Sequence, residues 1–180
     1  MYTFQFQMTE EEYFEYNLCH RYSMPEYRKK LMMHRFLFPI LYMVCVILVG
    51  LYFINYIGYY LPFISISVVQ IVFHRKLVER DIRKSIKMMK ASGKAPFADD
   101  YKAVFEEDKV TTSTKDTEIS NSYSAFEKIV IGRNALYLYR NAISATILPY
   151  RIFASEEEKE SFLQFIQQKT NAPVIAGVTK

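Results

Sequence analysis

Side chains able to do chemistry are few and widely spaced in this sequence. The three histidines, His20, His34 and His74, are far apart, and Cys19 beside His20 would point about 100° away from it on a helix. Metal-ligand spacings such as H-x-x-x-H or C-x-x-C do not occur, nor does a glycine-rich phosphate loop. We therefore expect no enzymatic activity, no cofactor and no metal.

Carboxylates occur in three short runs, which raises the alternative of cation binding. One run has the position of a helix first turn and the other two read as turns, so solvated surface is the favoured interpretation. The runs are Asp99-Asp100, Glu106-Glu107-Asp108 and Glu156-Glu157-Glu158.

A basic segment from Arg75 to Lys94 is the most suggestive stretch, with eight basic and two acidic residues. Basic groups beside an anionic bilayer contribute about 1 kcal/mol each, so we expect contact with anionic lipid headgroups. Nucleic acid is not expected as a partner, because membrane topology accounts for the cluster. The predicted headgroup contacts are Arg75, Lys76, Arg80, Arg83, Lys84 and Lys87.

An uncharged run from Phe36 to Phe73 precedes this segment and is about 38 residues long, whereas one membrane-spanning helix needs roughly 20. The length predicts a hairpin of two helices, the first near Phe36–Ile54 and the second from about Tyr60. Glycine, proline and tyrosines between Asn55 and Pro62 favour a turn at a membrane surface. A buried helix pair in a soluble protein is the weaker alternative, because the rest of the chain has little apolar surface to cover it.

Basic residues flank the run on both sides, which predicts that both termini of this inner-membrane protein are cytoplasmic. The chain has 180 residues and a net charge of +4. Its mean hydropathy, −0.05, hides the contrast between the apolar run and the charged ends. Cys19 and Cys45 are expected to be free thiols in a reducing compartment, and no cleavable signal pattern is present.

The ends of the chain predict an α+β fold. Tyr2–Met8 alternates like a strand, and Thr9 with Glu12 forms a capping box for a helix that ends before Pro25. A second box, Ser155 with Glu158, begins a C-terminal helix. Six strands are predicted between these helices, at 101–106, 109–113, 117–123, 128–131, 135–140 and 143–148.

We expect a membrane α-helical hairpin joined to a cytoplasmic α+β domain, in which an antiparallel curved sheet or small barrel is capped by the last helix. This pattern resembles a pleckstrin-homology-like domain, and the strand Tyr2–Met8 is expected to add to its sheet. The predicted segments are 1–34 (strand and amphipathic helix), 35–76 (hairpin), 77–96 (basic helix and linker), 97–171 (β domain with capping helix) and 172–180 (flexible tail).

Three features in this order resemble the YcxB-like family of bacterial membrane proteins. They are Thr9–Asn17 after the first strand, the two apolar helices, and Leu148–Phe153 followed by Ser155–Glu158. The resemblance implies a bacterial membrane location and a shared domain type, but it supplies no activity and no site residues.

The favoured function is a non-enzymatic interaction or sensing module held at the membrane, with a protein partner docking on exposed strand edges. The alternative is a small oligomer that moves or senses a solute through packed hairpins, in which Gln70 would bond between copies.

Overall fold

The computed structural model describes residues 1–53, 57–93, 95, 97 and 99–177. The chain divides into a helical unit, Met24–Lys84, and an α/β unit made of Met1–Ser23 with Ser85–Lys180. Part of the predicted turn (Asn55, Tyr56) and of the predicted linker (Lys94, Pro96) lies outside the described residues. The elements are β1 (Tyr2–Gln7), α1 (Glu10–Ser23), α2 (Pro25–Phe53), α3 (Leu61–Ala91), β2 (Asp100–Phe105), β3 (Lys109–Ser113), β4 (Glu118–Ser122), β5 (Lys128–Ile131), β6 (Ala135–Tyr139), β7 (Ala145–Pro149), α4 (Glu156–Thr170) and β8 (Val174–Ala176).

The helical unit contains α2 beside α3, and contacts between them, or with Tyr60 just before α3, occur at several points along their length. A Cβ atom on Gly50 would lie 2.1 Å from the Tyr60 hydroxyl, so the glycine makes room for that ring. Farther from the turn, the rings of Tyr42 and Phe63 are 5.6 Å apart. At the other end Arg35 Nε donates to the Ile71 carbonyl at 3.1 Å.

Both long helices extend beyond the apolar run that predicted them. Helix α2 begins at Pro25 rather than near Phe36, and α3 continues without interruption to Ala91, across the predicted boundary between 76 and 77. Hydropathy shows which part of a helix is apolar enough for lipid, but it does not show where the helix ends, because the helical hydrogen bonds continue through charged residues. Pro62 lies in the first turn of α3, where its missing N–H costs no helical bond.

The α/β unit has two four-stranded sheets, ordered β1-β2-β3-β4 and β7-β6-β5-β8. The expectation that the first strand joins the distant sheet is confirmed, because β1 pairs antiparallel with β2 from Tyr2↔Phe105 to Gln7↔Asp100. The six predicted strands are all present, with ends within two residues of those expected. No strand pairing joins the two sheets in the described part of the chain, so the expected small barrel is not closed.

Strand β8 lies within the segment 172–180 that was expected to be a flexible tail, of which residues 178–180 lie outside the described part of the chain. Three residues, Val174–Ala176, pair in parallel with β5, while every other strand pair is antiparallel. The preceding turn is made by Asn171, which has a φ of 52°. Asparagine is among the few non-glycine residues that adopt this left-handed conformation readily, and it ends α4 as predicted.

The core of the α/β unit lies between the two sheets and α4. Phe162 of α4 is fully buried, and its ring centroid lies 4.8 Å from Phe105, 5.4 Å from Phe4 and 5.4 Å from Phe153. These edge-on and tilted contacts join α4 to β1 and β2, and aromatic pairs of this geometry add to the free energy of burial.

The other face of the second sheet is covered by α1. Along β6, Leu136 and Leu138 belong to the core, while the intervening Tyr137 and Tyr139 face the opposite way. The ring of Tyr16 in α1 lies 5.4 Å from Tyr137. All five residues of β6 are therefore buried.

Candidate functional site

The two long helices are apolar and largely uncovered. Their mean hydropathies over the most apolar part are 2.1 for Pro25–Tyr52 and 1.4 for Leu61–Ala91, and only 17% and 11% of those parts are buried. A core helix of a soluble protein would be mostly covered by its neighbours. Both helices are thus long and apolar enough to cross a membrane, and their apolar side chains face outward.

Four basic side chains follow the apolar part of α3 along one side of the helix, and we call them the basic stripe. Their spacing of four, four and three residues places them within about 80° of one another at about 100° per residue. The opposite side carries the buried residues Val78, Ile82 and Ile86. The stripe consists of Lys76, Arg80, Lys84 and Lys87, all exposed.

Two of the predicted headgroup contacts are arranged differently from these four. Arg75 lies toward the buried side of α3, and its Nε donates to Glu79 Oε1 at 3.0 Å. Arg83 is exposed at the border of the basic stripe and has further interactions of its own. The structure therefore brings four of the six predicted residues onto one face.

Lys76, the first residue of the basic stripe, contacts the apolar part of α3. Its Nζ lies 5.3 Å from the centre of the Phe73 ring, a cation–π distance. Phe73 is itself exposed, next to further uncovered apolar side chains such as Val72 and Leu77. Lysine side chains commonly lie along apolar surface while the ammonium group stays in polar surroundings, and Lys76 beside Phe73 is placed to do this.

The cysteine and histidine of α1 do not form a nucleophile and base. The Cys19 sulfur contacts the Ser23 hydroxyl at 3.5 Å, and burial raises the pKa of the thiol, which lowers its reactivity. His20 Nδ1 lies 3.2 Å from the Tyr139 hydroxyl. Burial lowers the pKa of His20, and the nearby charges of Lys128 and Arg21 lower it further.

No metal site is found among the described residues, 1–53, 57–93, 95, 97 and 99–177. Nowhere in them do three His, Cys, Asp or Glu side chains lie close enough together to hold an ion.

An open polar cleft of about 500 Å³ lies at one end of β1, β2 and β3. Its charged side chains are of both signs, so the cleft favours neither anions nor cations. They are Asp99, Asp100, Lys102 and Lys115.

A feature that the sequence did not indicate joins α1 to the segment after β7. Arg151 Nε donates to Glu12 Oε1 at 2.6 Å, and its Nη2 donates to Glu12 Oε2 at 3.1 Å and to the Gln7 carbonyl at 2.5 Å. Glu12 also accepts from the Thr9 N–H at 2.8 Å, while its own N–H donates to the Thr9 hydroxyl, which confirms the capping box.

Ionisation of Glu12 is favoured by these partners. Burial opposes the charge, but the hydrogen bonds from Arg151 and Thr9 outweigh it and lower the pKa of Glu12 below its ordinary 4.5. The same contact raises the pKa of Arg151. A two-point arginine–carboxylate pair of this kind fixes orientation as well as proximity.

These elements define a protein with two long apolar helices and a small α/β unit, in which α4 packs against the sheets and is followed by β8. Residues 105–166 match the model of the family described as YcxB-like protein. The matched segment includes Leu148–Phe153 and Ser155–Glu158, while Thr9–Asn17 and the apolar helices lie outside it. No curated protein and no solved structure matches the chain.

Proposed function

We propose that the chain is a membrane-anchored, non-enzymatic interaction or sensing module of a bacterial inner membrane, with both termini in the cytoplasm. The observation that carries this proposal is the outward-facing apolar surface of α2 and α3. In water such surface is unfavourable and would drive aggregation, whereas lipid covers it at no such cost. The hairpin would then serve as the anchor of the α/β unit.

The basic stripe supports the cytoplasmic orientation. Lys76, Arg80, Lys84 and Lys87 follow directly after the apolar part of α3, and basic residues close to spanning segments remain on the cytoplasmic side. We propose that the stripe contacts anionic headgroups. With about 1 kcal/mol for each basic group, four of them give an attraction that strengthens as salt is lowered.

The α/β unit supports the proposal of an interaction module. We propose that it has a pleckstrin-homology-like fold, which is supported by two largely antiparallel sheets and one packed helix, α4, while β8 follows that helix and pairs in parallel with β5. Its free strand edges offer backbone hydrogen bonds to an extended partner. Strand β4 is such an edge: within the described part of the chain it pairs with β3 alone, and it is exposed along most of its length.

Two experiments test this function in intact cells. A green fluorescent protein fused after residue 180 is expected to fluoresce, and an alkaline phosphatase fused there is expected to be inactive, because the C-terminus is cytoplasmic. Crosslinking from the α/β unit is expected to recover a specific protein partner that a chain without residues 97–171 does not recover. An active phosphatase fusion overturns the orientation, and recovery of no specific partner overturns the interaction role.

A second candidate function, an oligomer of packed hairpins that moves or senses a solute, is favoured by the polar groups of α3. The Ser67 hydroxyl is buried with no hydrogen-bond partner in the described structure. Gln70 is half-buried in the same apolar stretch. Polar groups in lipid gain free energy by bonding to a partner helix.

Gln70→Leu tests the oligomer, with Val69→Leu as a control at a neighbouring exposed position. In mild detergent the oligomer is expected to become smaller with Gln70→Leu and to keep its size with Val69→Leu. A native protein that is monomeric, or an oligomer that keeps its size in both variants, contradicts this second function.

A further inference from the structure

One edge of β5 is occupied by β8, and β5 is an apolar strand. Ile129 and Val130 are almost completely buried, one on each side of the sheet. If β8 were absent, backbone N–H and C=O groups next to these side chains would be exposed. A hydrophobic strand edge of this kind readily pairs with another extended chain.

The attachment of β8 is short. Its backbone contacts with β5 begin with the Ile129 N–H donating to the Pro173 carbonyl at 3.0 Å and end with the Gly177 N–H donating to the Ile131 carbonyl at 2.8 Å. Ile175 and Ala176 between them are exposed. A three-residue strand with few buried side chains belongs to the parts of a protein that open at low free energy.

Gly177 shows which residue type fits at this position of a strand paired with β5. A Cβ atom there would lie 2.8 Å from the Cys19 sulfur and 2.9 Å from the Ile131 carbonyl oxygen. The second neighbour is a backbone carbonyl of a strand that is hydrogen-bonded on both sides, which cannot move aside easily. An occupant therefore needs glycine at this position, and an apolar residue where Val174 packs against the core.

We propose that β8 is a removable strap, and that the β5 edge beneath it is the docking edge for an extended partner segment that carries an apolar residue and, three positions later, a glycine. This inference rests on the proposed interaction role and names the edge and the chemistry of the partner. Backbone hydrogen bonds would supply the binding free energy, and the glycine requirement the specificity. While β8 is paired with β5, the backbone groups of this edge are not available to such a partner.

Cys19 reports the opening of the strap, because its sulfur is buried beside Gly177. The experiment uses the full chain in mild detergent with Cys45→Ala, so that Cys19 is the one cysteine left, and follows its reaction with a water-soluble maleimide. Gly177→Ala is expected to raise the reaction rate at least tenfold. Ile175→Pro, at an exposed side chain, removes a strand N–H and is expected to do the same, whereas Ile143→Ala in an exposed loop is expected to change nothing.

A synthetic peptide with the sequence of residues 171–177 tests docking on the Gly177→Ala chain. It is expected to slow the labelling of Cys19 back toward the rate of the parent chain, and the same peptide with alanine in place of glycine is expected to have no effect. The proposal is overturned if the peptide gives no protection. It is equally overturned if labelling of the parent chain has the same urea dependence as global unfolding. Neither outcome depends on whether α2 and α3 span a membrane. A failure of this proposal can therefore be distinguished from a failure of the proposed membrane anchor.

Discussion

Arg151 and Glu12 form a two-point ion pair across 139 residues of sequence, with one nitrogen–oxygen distance of 2.6 Å and another of 3.1 Å. The pair links the capping box of α1 to the segment between β7 and α4. The second of those places lies within residues 105–166, which match the family model, whereas the first lies outside them. The contact holds α1 against the rest of the α/β unit.

Replacing Glu12 by glutamine removes the charge but keeps a side chain able to accept the Thr9 N–H. We expect the α/β unit to lose about 1–2 kcal/mol of unfolding free energy, because the Glu12 side chain is nearly buried while that of Arg151 is half exposed to screening solvent. Arg151→Gln is expected to have a similar effect, and the double variant is expected to lose less than the sum. Urea unfolding in mild detergent, followed by circular dichroism, measures all three. Equal effects from Glu107→Gln, an exposed control, would contradict a specific pair.

The same pair predicts the response of stability to acid. Since the pKa of Glu12 is lower in the folded chain than its ordinary 4.5, the folded state holds fewer protons than the unfolded state in that range. Its stabilising contribution is complete above the unfolded pKa and is lost as the pH falls through the folded pKa. The stability difference between the parent chain and Glu12→Gln should therefore be constant near neutral pH and shrink below about pH 4.5. A difference that stays constant down to pH 3 would rule this linkage out.

Gly132 connects β5 to β6 at a point with no room for a side chain. A Cβ atom there would lie 2.4 Å from Tyr137 Cε2 and 2.8 Å from the Ala135 carbonyl oxygen, and the Tyr137 side chain is fully buried. We expect Gly132→Ala to cost about 1–3 kcal/mol of unfolding free energy, as overpacking in a core does. Urea unfolding against Ile143→Ala as an exposed control measures the cost. Unchanged stability would mean that Tyr137 can move aside.

The basic stripe predicts a preference for anionic lipid. Changing Lys76, Arg80, Lys84 and Lys87 to glutamine should reduce the enrichment of phosphatidylglycerol around the protein in nanodiscs of mixed lipid, and the loss should be larger at low salt. A control with Lys102, Lys109, Lys115 and Lys169 changed to glutamine removes the same charge from the α/β unit. Equal enrichment in the two variants would show that net charge, rather than the stripe, attracts the lipid.

Local patterns predicted most of the elements. Alternation of side chains identified β1, and short apolar runs separated by turn residues identified β2 to β7. The Thr9–Glu12 capping box forms as expected, whereas at Ser155 only half of the box forms, because the Glu158 carboxylate accepts from the Ala154 N–H. Strand β8 was missed because three residues are too few for a periodic signal and its partner, β5, lies far away in the sequence. The open arrangement of two sheets was also not predictable, since closure of a barrel depends on pairing between distant edges.

The basic stripe was predicted in part. The excess of basic residues next to the apolar run predicted contact with headgroups, but only the burial of Val78, Ile82 and Ile86 shows which side of the helix is covered. Arg75 therefore falls outside the stripe despite its place next to Lys76. The partners of Glu12 and Gly177 were not predictable for a similar reason, because contacts across a fold leave no local pattern.

Extraction of the native protein from bacterial membranes tests the central claim most directly. If lipid covers α2 and α3, the protein should stay in the membrane pellet after washing with alkaline carbonate and with high salt, and it should be released only by detergent. A protein that is released by the wash and remains folded and dispersed in plain buffer would contradict a membrane anchor.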